Sequence, residues 1–143
     1  MSVEILDWTA AQTRVMPLRV AVFVVEQGVP AEIEHDAFDA LSRHAAISDA
    51  DGAVVATGRL LPDGHIGRMA VAAAHRGAGL GSRVLLALID EAGRRGLTEV
   101  CLNAQTHACA FYRRHGFVEA GEVYLEAGLP HLTMRRPVRV SES

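Results

Sequence analysis

Arg76-Gly77-Ala78-Gly79-Leu80-Gly81 places one cation and three glycines in a single short turn, between an apolar strand-like run and a helix-like run. The glycines let the backbone bend tightly and come close to a ligand. The helical run that starts at Leu80 opens with unpaired N–H groups and the positive end of its dipole facing outward. Such a turn suits a pyrophosphate, cradled by the backbone from Arg76 to Ser82, with Arg76 as a charge-assisted donor. Its other reading is a tight strand-to-helix turn that holds nothing. No Gly-Lys-Ser/Thr follows the glycines, which removes a P-loop kinase. An antiparallel meander, rather than a first βαβ unit, precedes the loop, which makes a Rossmann domain a poor reading. The seven histidines are scattered, without ligand spacing to cysteines or paired carboxylates, so no metal is expected.

The elements that must position this loop follow from periodicity. Val3 to Leu6 reads as a first strand. Thr9 followed by Gln12 is a capping-box signature for a helix beginning near Ala10, and Pro17 kinks or divides the stretch that resumes through Leu18 to Glu26. Gln27-Gly28-Val29-Pro30 is a stop, and Ala31 to Ser42 a polar, acidic connection. His44 to Ser48, Ala53 to Leu61 and His65 to Val71 form a meander joined by Asp49-Ala50-Asp51-Gly52 and Pro62-Asp63-Gly64. The helix from Leu80 to Arg95 puts Leu80, Val84, Leu85, Leu88 and Ile89 on one face, ready to pack on a sheet. Glu99 to Asn103 is a buried strand, and Thr106 caps a helix that runs to about His115. Phe117 to Leu125 and Leu132 to Arg135 complete the sheet. The expectation is a single domain over residues 1–143, α/β in the mixed α+β sense, with a central, mostly antiparallel sheet flanked by helices.

A chain of 143 residues is long enough to bury a core, and half hydrophobic with 22% charged residues is ordinary for a globular protein. The net charge of −3 argues against nucleic acid as a partner. Two unclustered cysteines, Cys101 and Cys109, read as reduced core residues. The N-terminus has no basic segment followed by an apolar one, and the apolar run from Val15 to Val25 is too short to span a bilayer. A cytoplasmic protein is expected.

Taken with its neighbours, the loop resembles the GNAT superfamily of acyl-CoA N-acyltransferases. The family's R/Q-x-x-G-x-G/A signature appears as Arg76-Gly77-Ala78-Gly79-Leu80-Gly81, and Gly67-Arg68-Met69-Ala70-Val71 matches the strand that feeds it. Downstream, Ala110-Phe111-Tyr112-Arg113-Arg114-His115-Gly116-Phe117 is similar to the element ending F-Y-x-x-x-G-F. Arg19-Val20-Ala21-Val22-Phe23-Val24-Val25-Glu26-Gln27 resembles the ElaA-type branch, as do Glu34, Asp36, Asp39, His44 and Gly128-Leu129-Pro130-His131 ahead of Met134.

The resemblance implies acetyl-CoA as co-substrate, with its pyrophosphate on the backbone of Arg76, Gly77, Ala78, Gly79, Leu80, Gly81 and Ser82. Its pantetheine arm would lie along Met69, Ala70 and Val71, near Phe111. The Val71 N–H would polarise the thioester carbonyl. Tyr112 would protonate the departing thiolate, or else serve as an aromatic packing residue. Asn103 would hydrogen-bond the pantetheine or a water, or merely end its strand. The acceptor is a small-molecule primary amine, which must lose a proton before it attacks. Glu26, Glu34, His44 and His131 are the polar candidates for base or water relay. The acidic residues Glu26, Glu32, Glu34, Asp36 and Asp39, in a stretch without Lys or Arg, would attract a cationic amine or form a solvated loop. No membrane partner is expected, and a homodimer is compatible with the family. The rival reading is a non-catalytic acyl-CoA-binding regulatory module on the same fold. Acyl-chain length is left open.

Overall fold

A computed structural model describes residues 1–31 and 36–139. Strands β1 (Val3–Leu6), β2 (Arg43–Ser48), β3 (Val54–Leu60) and β4 (Ile66–Val71) form one antiparallel sheet in chain order. Strands β5 (Glu99–Gln105), β6 (Val118–Glu119), β7 (Tyr124–Glu126) and β8 (Leu129–Pro137) form a second. In the second sheet β8 is central, with β5 on one side and both β6 and β7 on the other. The helices are α1 (Trp8–Arg19), α2 (Leu80–Arg94) and α3 (Cys109–Arg114), and a π-helical segment, Val20–Glu26, continues α1.

Alternation along β2 explains the layering. Ala45 and Ile47 face the main core with α2, whereas Ala46 faces α1 with Ala11 and Val15. The predicted α2 stripe of Leu80, Val84, Leu85, Leu88 and Ile89 is buried. Gly58 on β3 lets that helix close on the sheet, because a Cβ there would lie 2.9 Å from Val84 Cγ1.

Among the described residues one bridge joins the two sheets. His65 and Cys101 form a single parallel bridge, with the Cys101 N–H donating to the Gly64 carbonyl at 3.1 Å. Gly64 is required there: its φ is +101°, and a Cβ would stand 2.7 Å from the Glu99 carbonyl oxygen. Beyond the bridge β4 and β5 part. The cause is a bulge in β4, where the register jumps from Thr57↔Ala70 to Arg59↔Gly67 and Arg68 adopts φ +50°. An extra residue in the left-handed region bends the strand that carries it.

Four sequence expectations need correction. The cap of α1 is Asp7, whose carboxylate accepts from the Ala10 N–H at 2.9 Å, so the helix starts at Trp8 rather than under a Thr9 box. The helix passes through Pro17 and widens into π-turns only at Val20, with Gln27 N–H donating to the Val22 carbonyl. Thr106 does not cap α3; it opens a 3-10 turn, and Cys109 starts the α-helix. Phe117 to Leu125 is two short strands, β6 and β7, separated around Gly121 with φ +119°.

Candidate active site

A cleft of about 1200 Å³ opens where β4 and β5 diverge. Ile66, Gly67, Arg68 and Met69 line one wall and Leu102, Asn103, Ala104 and Gln105 the other. Both walls are sheet edges, so their outward backbone groups are available to an extended ligand. The Ala72 N–H donates to the Val55 carbonyl at 2.8 Å, which makes Val55 and Ala72 a hydrogen-bonded pair. Antiparallel pairs alternate, so Ala56↔Val71 is a non-hydrogen-bonded pair and the N–H and C=O of Val71 point to the open edge. Ala70 instead faces β3. A thioester carbonyl at this edge would therefore meet the Val71 N–H.

The glycine loop stands at the mouth of this edge. Gly79 is the N-cap of α2 with φ +79°, and no side chain caps the helix. The N–H groups of Leu80, Gly81 and Ser82 thus have no helical partner. Space in front of Gly77 and Gly79 is open, and a Cβ at Gly81 would meet Val71 and Phe111 at ordinary contact distance. These features fit a pyrophosphate. Arg76 is already engaged: its Nε donates to the Val71 carbonyl at 3.0 Å and its Nη2 to Glu26 Oε1 at 2.9 Å. Glu26 therefore sits at the loop, and its carboxylate belongs to the cation expected to meet the phosphates. Ser82 Oγ is 2.9 Å from His115 Nε2, a link between α2 and the end of α3 that the sequence did not suggest.

Tyr112 lines the cleft from α3, with its ring against Phe111 and Phe117. Burial, with a smaller contribution from Cys109, pushes its phenol up to about 12, so it carries its proton throughout the neutral range. Asn103 and His131 also line the cleft. Asn103 accepts from the Thr133 hydroxyl at 2.9 Å. His131 lies opposite Gln105 in the β5–β8 register, and its Nδ1–H donates to the Leu129 carbonyl at 2.8 Å. Cys101 and Cys109 are buried free thiols, and burial raises the Cys101 thiol, which makes it a poor nucleophile.

The acidic stretch does not read as it did in sequence. Asp39 is fully buried and takes two hydrogen bonds from Arg19, at 2.8 and 3.1 Å. Arg59 bridges Asp39 and Asp36, and Arg68 reaches Asp36 at 3.2 Å. Burial alone would raise the Asp39 carboxyl, but the Arg19 and Arg59 guanidiniums outweigh it and the net direction is down. His44 is buried beneath the Trp8 ring and donates through Nε2 to the Asp39 carbonyl at 2.9 Å. Asp36, Asp39 and His44 are thus a structural network rather than free acceptors for an amine. Glu32 and Glu34 lie outside the described residues.

An open sheet edge, an uncapped helix N-terminus and a protonated phenol in the cleft are parts an N-acyltransferase could use. Comparison with known proteins agrees. Residues 11–137 match the acetyltransferase (GNAT) domain family, and the chain belongs to it. It is 39% identical to an uncharacterized N-acetyltransferase, YjcF, of Bacillus subtilis, over 83% of this chain and 87% of that protein. Among solved structures, an acyl-CoA N-acyltransferase from Pseudomonas aeruginosa is 36% identical with a TM-score of 0.85, covering 95% of this chain and 99% of the other. Escherichia coli ElaA is 30% identical with a TM-score of 0.84 over the same shares. No described helix is long and apolar enough to cross a membrane.

Proposed function

We propose that the protein transfers an acetyl group from acetyl-CoA to a primary amine in one direct step. The observation that carries this reading is the Val71 N–H on an open sheet edge, in line with the uncapped N-terminus of α2. Pantetheine amides would pair along Met69 and Val71 as an added strand, with Asn103 on the facing wall. Gly77 to Ser82 would hold the pyrophosphate, Arg76 would add charge, and Phe111 would pack beneath the loop. As the amine attacks, negative charge on the carbonyl oxygen would be met by the Val71 N–H. Tyr112 would supply the proton that the thiolate needs to leave. The buried thiols argue for direct attack over an acyl-enzyme. A reaction on cellular acetyl-CoA would run in the cytoplasm.

The test is thiol release from acetyl-CoA across pooled polyamines, amino sugars, amino acids and short peptides. Release above the acceptor-free rate in one pool is the expected result. Tight acetyl-CoA binding with no release in any pool would replace this reading with a non-catalytic acyl-CoA-binding module.

A further inference from the structure

We infer that the β7–β8 hairpin carries the acceptor site's base, with Glu126 and His131 receiving the amine as an ammonium ion and His131 Nε2 taking its proton. The inference rests on the N-acetyltransferase reading above and assigns the general base and the charge of the acceptor.

The hairpin is built to hold two side chains together. Glu126 and Leu129 pair across a two-residue turn in which Ala127 has φ +52° and Gly128 φ +76°. Both signs are those of a type I′ turn, the tightest hairpin connection. Ala127 is not a glycine, so the left-handed conformation is held against its own preference, and such outliers gather at functional sites. Glu126, Ala127, Leu129 and His131 all line the cleft that Tyr112 lines.

His131 is fixed on three sides. Its Nδ1 must carry the hydrogen, because the Leu129 carbonyl 2.8 Å away can only accept. In the neutral imidazole Nε2 then carries the lone pair. The Tyr124 ring stacks on the imidazole at 5.9 Å between centroids. Glu126 Oε2 lies 3.5 Å from Nε2. Among the described residues that line the cleft, Glu126 and Asp36 are the carboxylates, and Asp36 is bound by Arg59 and Arg68. Among the described residues Glu126 has no arginine partner. An ammonium therefore finds a carboxylate that no arginine holds beside an imidazole nitrogen that, when neutral, can take its proton.

The proton balance closes. Nε2 takes one proton from the ammonium, and Glu126 steadies the imidazolium. The neutral nitrogen forms the C–N bond, the C–S bond breaks, and the thiolate takes the Tyr112 proton. The amide nitrogen's surplus proton returns to the phenolate, and the imidazolium releases its proton to water past Glu126, which is 60% exposed.

The test uses the full chain and the acceptor with the highest turnover in the pools above. His131→Ala is expected to lower kcat by about 10²-fold, to bind acetyl-CoA as the wild type does, and to recover activity with added imidazole. Glu126→Gln is expected to raise the amine KM by about two- to fivefold and to lower kcat less than His131→Ala does, because the imidazolium loses its carboxylate. Wild-type turnover together with an unimpaired His131→Ala, or with a loss that imidazole does not rescue while acetyl-CoA binding persists, overturns the assignment and leaves the N-acetyltransferase reading standing. An unchanged KM in Glu126→Gln overturns the ammonium contact. A wild-type protein that binds acetyl-CoA and releases no thiol overturns the reading beneath it.

Discussion

The π-helical segment Val20–Glu26 runs between two arginine–carboxylate pairs of nearly equal length. At its start Arg19 meets Asp39 at 2.8 Å, with both side chains almost wholly buried, 1% and 0% exposed. At its end Glu26 meets Arg76 at 2.9 Å, with 40% and 46% exposed. Distance does not separate these pairs; solvent does. The first lies under Trp8, whose ring takes the Arg19 guanidinium at 5.5 Å, and losing either charge would leave the other short of a buried counter-charge. The second lies in water beside the glycine loop, where an ion pair contributes little and is easily exchanged. A pyrophosphate reaching the loop would meet a cation whose present partner is cheap to displace. The buried pair fixes where the early helices stand, and the exposed pair holds Arg76 only loosely beside the glycine loop.

Asp39→Ala is the strongest way to break this comparison. It should cost about 3–5 kcal/mol of stability by denaturant titration, because Arg19 and part of Arg59 lose their buried counter-charge. If Glu26→Ala destabilised as much, solvent exposure would not be what distinguishes the two pairs. Tyr112→Phe comes next and acts on chemistry instead of folding. It removes the cleft's proton-bearing phenol and keeps the ring against Phe111 and Phe117. The expected result is a kcat lower by about 10²-fold with acetyl-CoA affinity and denaturation midpoint retained. Equal activity would reduce Tyr112 to packing.

Acid should find the buried network first. Desolvation holds the His44 imidazole below its ordinary value of 6.5, despite the hydrogen bond to the Asp39 carbonyl that works the other way. A lowered folded value means that the unfolded chain binds protons sooner. His44 thus contributes stability that is complete above about pH 6.5 and falls as pH drops toward its folded value. Asp36 and Asp39, both held below the usual carboxylate range, add a second loss below about pH 4. Denaturation midpoints should stay level from pH 8 to 7 and then decline in those two stages. His44→Asn should erase the upper stage alone. A midpoint unchanged down to pH 5 would mean that His44 titrates as it does in water.

What the sequence revealed and what it hid divide along the same line. Period and turn chemistry are local, so the α2 stripe from Leu80 to Ile89 and the three-strand meander were legible to within a residue or two. The glycine loop was legible for the same reason. The acidic stretch was misread because the arginines that neutralise Asp36 and Asp39 stand at 19, 59 and 68, on other elements. The bulge that opens the cleft rests on Arg68, a residue type that gives no sign of a positive φ. Pro130 masked the early start of β8 at Leu129, where it occupies an edge-facing position opposite Leu125. The hydrogen on His131 Nδ1 is set by a carbonyl two residues away, and only the folded hairpin shows that contact.

Glu26→Gln is the smallest change and the sharpest probe of the exposed pair. Glutamine keeps the length of the side chain and removes the charge that competes for Arg76. Stability should move by less than about 1 kcal/mol. Acetyl-CoA should bind up to about fivefold more tightly by calorimetry at low salt, the gain being the ion pair that no longer has to be given up, and added salt should shrink the difference. Weaker binding would mean that Glu26 aims Arg76 at the phosphates and does not compete with them. A kcat lower by about 10²-fold with affinity unchanged would instead make Glu26 the base, in place of His131. The three outcomes separate because affinity reports on the loop, where Glu26 meets Arg76, and kcat reports on the cleft.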